Sequence, residues 1–177
     1  MDTLTASVAV ATLAVALVVP SVVSAASPLS ARAEVAPYRV AMIGAYLFYN
    51  DSGAFSPNIP ADAALWNTII GEGWARESST STLVRVVVTG ANGSYEPHRA
   101  IQLTVSKGRR APSGKTAWRT PTRKTQGLSV LSARGRTVVG FWIYDTGCEP
   151  LKLTATVTGQ APTRPAPARV IMFACGE

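Results

Sequence analysis

The chain is poor in the residue types that most often carry chemistry. It has 177 residues, a single histidine, His98, and two cysteines, Cys148 and Cys175. A zinc site needs several His or Cys ligands, and a bonded cysteine pair leaves too few. A Ser-His-Asp triad would have to use His98, which stands at a turn between Pro97 and Arg99 with no nucleophile motif beside it. An exposed loop histidine is the better reading. Runs of the Asp-x-Asp-x-Asp type are also missing. Asp51, Asp62, Glu72, Glu77, Asp145 and Glu149 fall largely in expected loops, where calcium is a conceivable ligand, but solvated loop acids account for them more simply. From Pro97 to Tyr144 there is no Asp or Glu at all, while the same stretch carries ten Lys and Arg. The net charge of +7 is therefore concentrated in a cationic block on a mildly acidic body.

Long apolar runs are scarce as well, with one exception at the N-terminus. Val8 to Val19 is apolar apart from Thr12, Pro20 breaks the run, and Val23-Ser24-Ala25 is small where a signal peptidase reads. The run is short for a membrane span and lacks flanking positive charge. Asp2 is the only charge before it, which departs from the usual pattern, and a buried or lipid-anchored helix is the competing account. A cleaved signal over residues 1–25 is the expectation, and no nearby cysteine offers a lipoprotein anchor. Residues 26–37 read as a loose arm and 38–177 as one domain, long enough for a real core. Export places the protein outside the cell or in a periplasm, where two cysteines usually pair. A Cys148–Cys175 bridge closes a loop of 175 − 148 = 27 residues.

The mature region reads as strands. Arg99 to Ser106 alternates, with Ile101, Leu103 and Val105 inward, and Leu151 to Thr158 alternates likewise with Leu151, Leu153, Ala155 and Val157 inward. Tyr38 to Tyr49, Leu65 to Ile70, Leu83 to Thr89 and Arg169 to Cys175 are further strands, with Gly44 a bulge or a close backbone approach. Lys107 to Gly114 reads as a basic loop, Lys115 to Thr125 as a weak edge strand broken by Pro121, and Leu128 to Leu131 as another short strand. Val138 to Tyr144 is apolar on both alternating faces, which predicts the centre of a sheet. About eight strands with Gly, Pro and Asn turns and no convincing helix predict an all-β fold, a two-sheet antiparallel sandwich. The architecture is immunoglobulin-like, but that family's signature is absent, since Trp142 precedes both cysteines and Tyr144 lies four residues before Cys148. An antiparallel order also brings both cysteines to one end of the sandwich.

Two motifs remain. Asp145-Thr146-Gly147 after an apolar strand looks like the aspartic protease signature, whose chemistry needs two carboxylates sharing a proton. With one copy, hydrolysis would require a dimer, and a strand-ending turn is the favoured account. Arg109, Arg110, Lys115, Arg119, Arg123 and Lys124 fall on one loop and its edge strand, with Trp118 among them. Solubility and protection of the sheet edge is the plainer explanation. The sharper one is recognition of an anionic envelope polymer, an acidic glycan or extracellular nucleic acid. No cofactor is called for.

Leu65-Trp66-Asn67-Thr68-Ile69-Ile70-Gly71-Glu72-Gly73, Tyr144-Asp145-Thr146-Gly147-Cys148-Glu149-Pro150-Leu151 and the ending Phe173-Ala174-Cys175-Gly176-Glu177 resemble segments of small exported bacterial proteins of unknown function. The resemblance implies export and a bonded cysteine pair. It brings no catalytic residues with it. The expectation is a secreted or periplasmic, disulfide-pinned sandwich that serves as a non-catalytic binding or accessory module.

Overall fold

A computed structural model describes residues 37–111, 113–161 and 166–176. The expected signal over 1–25, residues 26–36 of the arm and part of the proline-rich connector lie outside the described residues. Nine strands follow one another: β1 (Arg39–Phe48), β2 (Ala64–Trp66), β3 (Ser81–Thr89), β4 (Ala100–Arg110), β5 (Thr116–Trp118), β6 (Thr122–Gly127), β7 (Arg136–Tyr144), β8 (Leu151–Thr158) and β9 (Ala168–Ala174). They form two sheets, one of order β1-β3-β7 and a wider one of order β2-β9-β8-β4-β5, with β6 also paired to β4. Every pairing is antiparallel except that of β2 with β9, which is parallel. The all-β sandwich expected from the alternation is the observed fold.

The two-residue period decides what fills the space between the sheets. From the narrow sheet come Ile43, Ala45 and Leu47 of β1, Val84, Val86 and Val88 of β3, and Val139, Phe141 and Ile143 of β7. The wide sheet answers with Ile101, Leu103 and Val105 of β4, Leu151, Leu153 and Ala155 of β8, and Ile171 and Phe173 of β9. Arg169 is the polar member of this inward set on β9, its register partner being the inward Leu153. Its guanidinium donates to the Ile43 carbonyl (2.8 Å), to Asn58 Oδ1 (3.0 Å) and to the Ile59 carbonyl, tying β9 of one sheet to β1 of the other. Burial lowers its pKa from the ordinary value, and Tyr46 offsets part of that effect.

Several expectations are corrected. β7 is an edge strand, and β3 lies at the centre of the narrow sheet. Both faces of β7 are apolar because its outward Val138, Trp142 and Tyr144 remain exposed, not because protein covers them. The bulge in β1 falls between Val40 and Met42, whereas Gly44 is a close approach, where a Cβ would meet the Tyr46 ring at 3.1 Å. β4 does not end at Ser106; it runs on through Arg110, paired to β5, so the expected basic loop starts four residues late. Leu128 and Leu131 are buried but lie in irregular chain, and Leu65–Ile70 divides into β2 and a short 3₁₀ turn over Thr68–Ile70.

Cys148 and Cys175 are joined, with their Cα atoms 4.8 Å apart. Cys148 lies in the corner where the chain leaves β7 of the narrow sheet for β8 of the wide one, and Cys175 directly follows β9. The bridge thus locks the sheet-to-sheet crossover to the end of the last strand. Asn67, in a left-handed conformation (φ 48°), adds to this corner. Its amide donates to the Ala174 carbonyl (2.9 Å), its Oδ1 accepts from the Gly176 amide (3.1 Å), and Thr68 Oγ1 donates to the Gly147 carbonyl (3.4 Å). Gly147 (φ 124°) has no alternative, since a Cβ there would meet Ile69 at 2.7 Å. The chain-entropy model assigns a bridge over such a loop about 3 to 4 kcal/mol, which corresponds to roughly 10 °C in Tm for a domain of this size. Replacing both cysteines with Ser should lower the melting temperature by that amount. Mass spectrometry of the unreduced protein should find the two sulfurs bonded, and two free thiols would refute the pairing.

Candidate functional site

Three strands cannot cover six. Along the margin where the β7 edge faces β4 and β6, the sandwich opens into a cleft of about 330 Å³. Val105 and Ile143, both buried, line it with apolar surface. The remaining lining residues are Lys107 of β4, Arg119 and Thr120 of the β5–β6 connection, Thr122 and Lys124 of β6, and Tyr144 at the end of β7. The lining contains three cations and no carboxylate, histidine or cysteine.

Each cation arrives there for a local reason. Lys107 continues the inward series Ile101, Leu103, Val105 by the same two-residue step, so its stem leaves from the core side of β4. Its Nζ donates to the Asp145 carbonyl at 2.7 Å. Lys124 pairs with inward Leu103 and Thr122 with inward Val105, so both belong to the inner face of β6, which the narrow sheet leaves uncovered. Arg119 is positioned by the β4–β5 hairpin. Gly108 lies opposite Trp118, the indole sits over the glycine, and the Arg119 amide donates to the Lys107 carbonyl (2.9 Å). The Arg119 guanidinium pairs with Glu149 at 2.5 Å on the surface, where such pairs are weak and exchangeable. Among the described residues the other ion pair is Arg99 with Glu96, so Lys124 has no carboxylate partner there.

The six expected anion-binding residues therefore do not share one surface. Arg119 and Lys124 line the cleft. Arg109, Arg110 and Lys115 cluster at the tip of the β4–β5 hairpin, as the Arg109–Ala117 and Arg110–Thr116 pairings require. Arg123, one residue from Lys124, pairs with outward Thr104 and lies on the opposite face of the sheet. Lys107 was not among the six; continuing the alternation past Ser106 would have found it. Asp145 ends β7 in a left-handed conformation (φ 54°) with an exposed side chain, and its backbone carbonyl, rather than its carboxylate, makes the contact to Lys107. His98 is exposed in the loop before β4.

Among the described residues, no helix is long and apolar enough to cross a membrane, and no three His, Cys, Asp or Glu side chains come together as a metal cluster. No protein-family model, curated protein or solved structure matches the chain.

The geometry makes Arg119 dependent on Gly108. A Cβ at that position would meet Thr116 Cγ2 at 2.5 Å and the Trp118 ring at 2.9 Å. Gly108→Val should expel the indole, shift tryptophan emission to longer wavelength and cost about 1 to 3 kcal/mol in a denaturant titration. Unchanged emission and stability would show that the hairpin does not depend on this contact.

Proposed function

We propose that this is an exported, disulfide-stabilised β-sandwich acting as a binding or accessory module, and that its cleft takes the anionic groups of an envelope polymer or glycan. The observation that carries the reading is the convergence of Lys107, Arg119 and Lys124 on one recess floored by Val105 and Ile143. Cations beside low-dielectric walls bind anions more strongly than cations standing free in water. Thr120 and Thr122 add hydroxyls that donate to or accept from a ligand. Export is supported by the apolar run at Val8–Val19 with its small-residue cut site, and by the disulfide, which persists in oxidising compartments.

Two measurements test this. Protein recovered outside the cytoplasm of the producing cell should begin at Ala26; an intact N-terminus on cytoplasmic protein would refute export. Inorganic polyphosphate should bind with an affinity that falls as salt rises, and Arg119→Ser with Lys124→Ser should weaken it at least tenfold. Replacing Arg109, Arg110 and Lys115 at the hairpin tip should have a smaller effect. Equal losses from the two sets would assign the binding to general surface charge and overturn the cleft.

A further inference from the structure

The outward face of the narrow sheet is apolar where solvent-facing residues are expected. Phe48, Phe55, Trp142 and Tyr144 form one connected strip. The Phe48 and Phe55 rings are 5.5 Å apart, Phe48 and Trp142 5.4 Å, Phe55 and Trp142 5.8 Å, and Trp142 and Tyr144 6.3 Å, centroid to centroid. These rings hold one another in place yet stay open to solvent, with Phe55 at 45 %, Trp142 at 37 % and Tyr144 at 64 % exposure. Rings fixed in this way offer contact area at little entropic cost, and an exposed patch of this kind marks an interaction surface.

The occupant is constrained by charge and by position. The strand registers give the narrow sheet five outward positions on each of β1, β3 and β7, and none is acidic. The charges among them are Arg85, which lies over the Tyr46 ring at 5.3 Å, and Arg39 and Arg136, which flank Thr89 at the end of the sheet away from the aromatic strip. A second copy docked on this face would bury Arg85 with no carboxylate to meet it, so self-association is disfavoured. A lipid surface would call for cations ringing the apolar face at headgroup level. Instead, the cations at the strip's own end, Lys107, Arg119 and Lys124, are recessed between the sheets. Tyr144 belongs to both features: it closes the aromatic strip and lines the cleft with Lys107, Arg119 and Lys124. The two are one continuous track.

We infer that the track binds an acidic polysaccharide, with pyranose rings lying against Phe55, Phe48 and Trp142 and the carboxylate or phosphate of a further sugar entering the cleft. The apolar C–H faces of sugar rings pack on aromatic surface, while Thr120 and Thr122 meet hydroxyls at the cleft. The inference rests on the cleft's taking anions and adds the class of polymer. It also accounts for rings and cations adjoining, which charge attraction alone does not require.

The test uses an oligogalacturonate of about ten sugars and inorganic polyphosphate of matched charge, titrated against the full mature protein. Trp142→Ala and Phe55→Ser should each weaken oligogalacturonate binding about tenfold and leave polyphosphate binding unchanged. Trp142→Tyr should restore most of the loss, which separates the ring's contact from any effect on folding. Arg119→Ser with Lys124→Ser should weaken both probes. If the aromatic variants leave oligogalacturonate binding unaltered, or weaken both probes equally, the aromatic track is overturned. Wild-type protein that binds polyphosphate but not oligogalacturonate overturns the polysaccharide and leaves the anion cleft standing; failure to bind either removes the cleft and this inference together. A dimer dispersed by Trp142→Ala, or preference for phosphatidylglycerol vesicles over the oligosaccharide, would also overturn it.

Discussion

The unequal width of the two sheets governs the rest of the molecule. β1, β3 and β7 pack on the middle of a sheet twice as wide in strand number, so the inner face of β6 and the edge of β7 are left at the margin. A margin with apolar side chains on its inner face would be a liability in water. Here Thr122 and Lys124 occupy the inward positions of β6, and Lys107 replaces the next apolar residue of β4. The polar residues at this margin solvate it, and in doing so they line a recess with positive charge. The same substitutions that keep the open side soluble create the candidate site.

The disulfide corner does the complementary task at one end. A chain that changes sheets between β7 and β8 needs a short turn that cannot slip, because any change there would alter the registration of both strands. Cys148–Cys175, the left-handed Asn67 and Asp145, and Gly147 against Ile69 together fix that turn. The three segments quoted for their resemblance to exported proteins meet at this corner: Asn67 and Thr68 of the first bond to Ala174 and Gly176 of the third and to Gly147 of the second. Their joint role within the fold is to close the sandwich. The turn is also the point from which β7 ends and Tyr144 faces the cleft, so a structural element sets the geometry of a candidate binding one.

Much of the fold was legible because alternation reports burial directly when one face is wet. Ile101, Leu103 and Val105 on β4 and Leu151, Leu153 and Ala155 on β8 are inward as their spacing required. β7 misled for the same reason. Its sequence records which side chains are apolar, not whether anything covers them, and Trp142 and Tyr144 are apolar in the open. The cleft was half legible. Arg119 and Lys124 stood out as charge, but Arg123 looked equivalent to Lys124, although adjacent residues on a strand face opposite ways. Lys107 is hard to read as an inward residue because it opens a basic stretch that looks like a loop, where the ladder in fact continues to β5.

The amino-acid order by itself determined the strands, the sandwich, the pairing of the two cysteines and the concentration of positive charge in the middle of the chain. Each of these follows from local periodicity or from composition. Tertiary structure alone decided that β7 lies at an edge, that three of many cations meet above Val105 and Ile143, and that an aromatic strip runs into that recess. Those facts depend on which strands become neighbours and how wide each sheet grows, and such long-range pairing leaves no periodic trace in the chain.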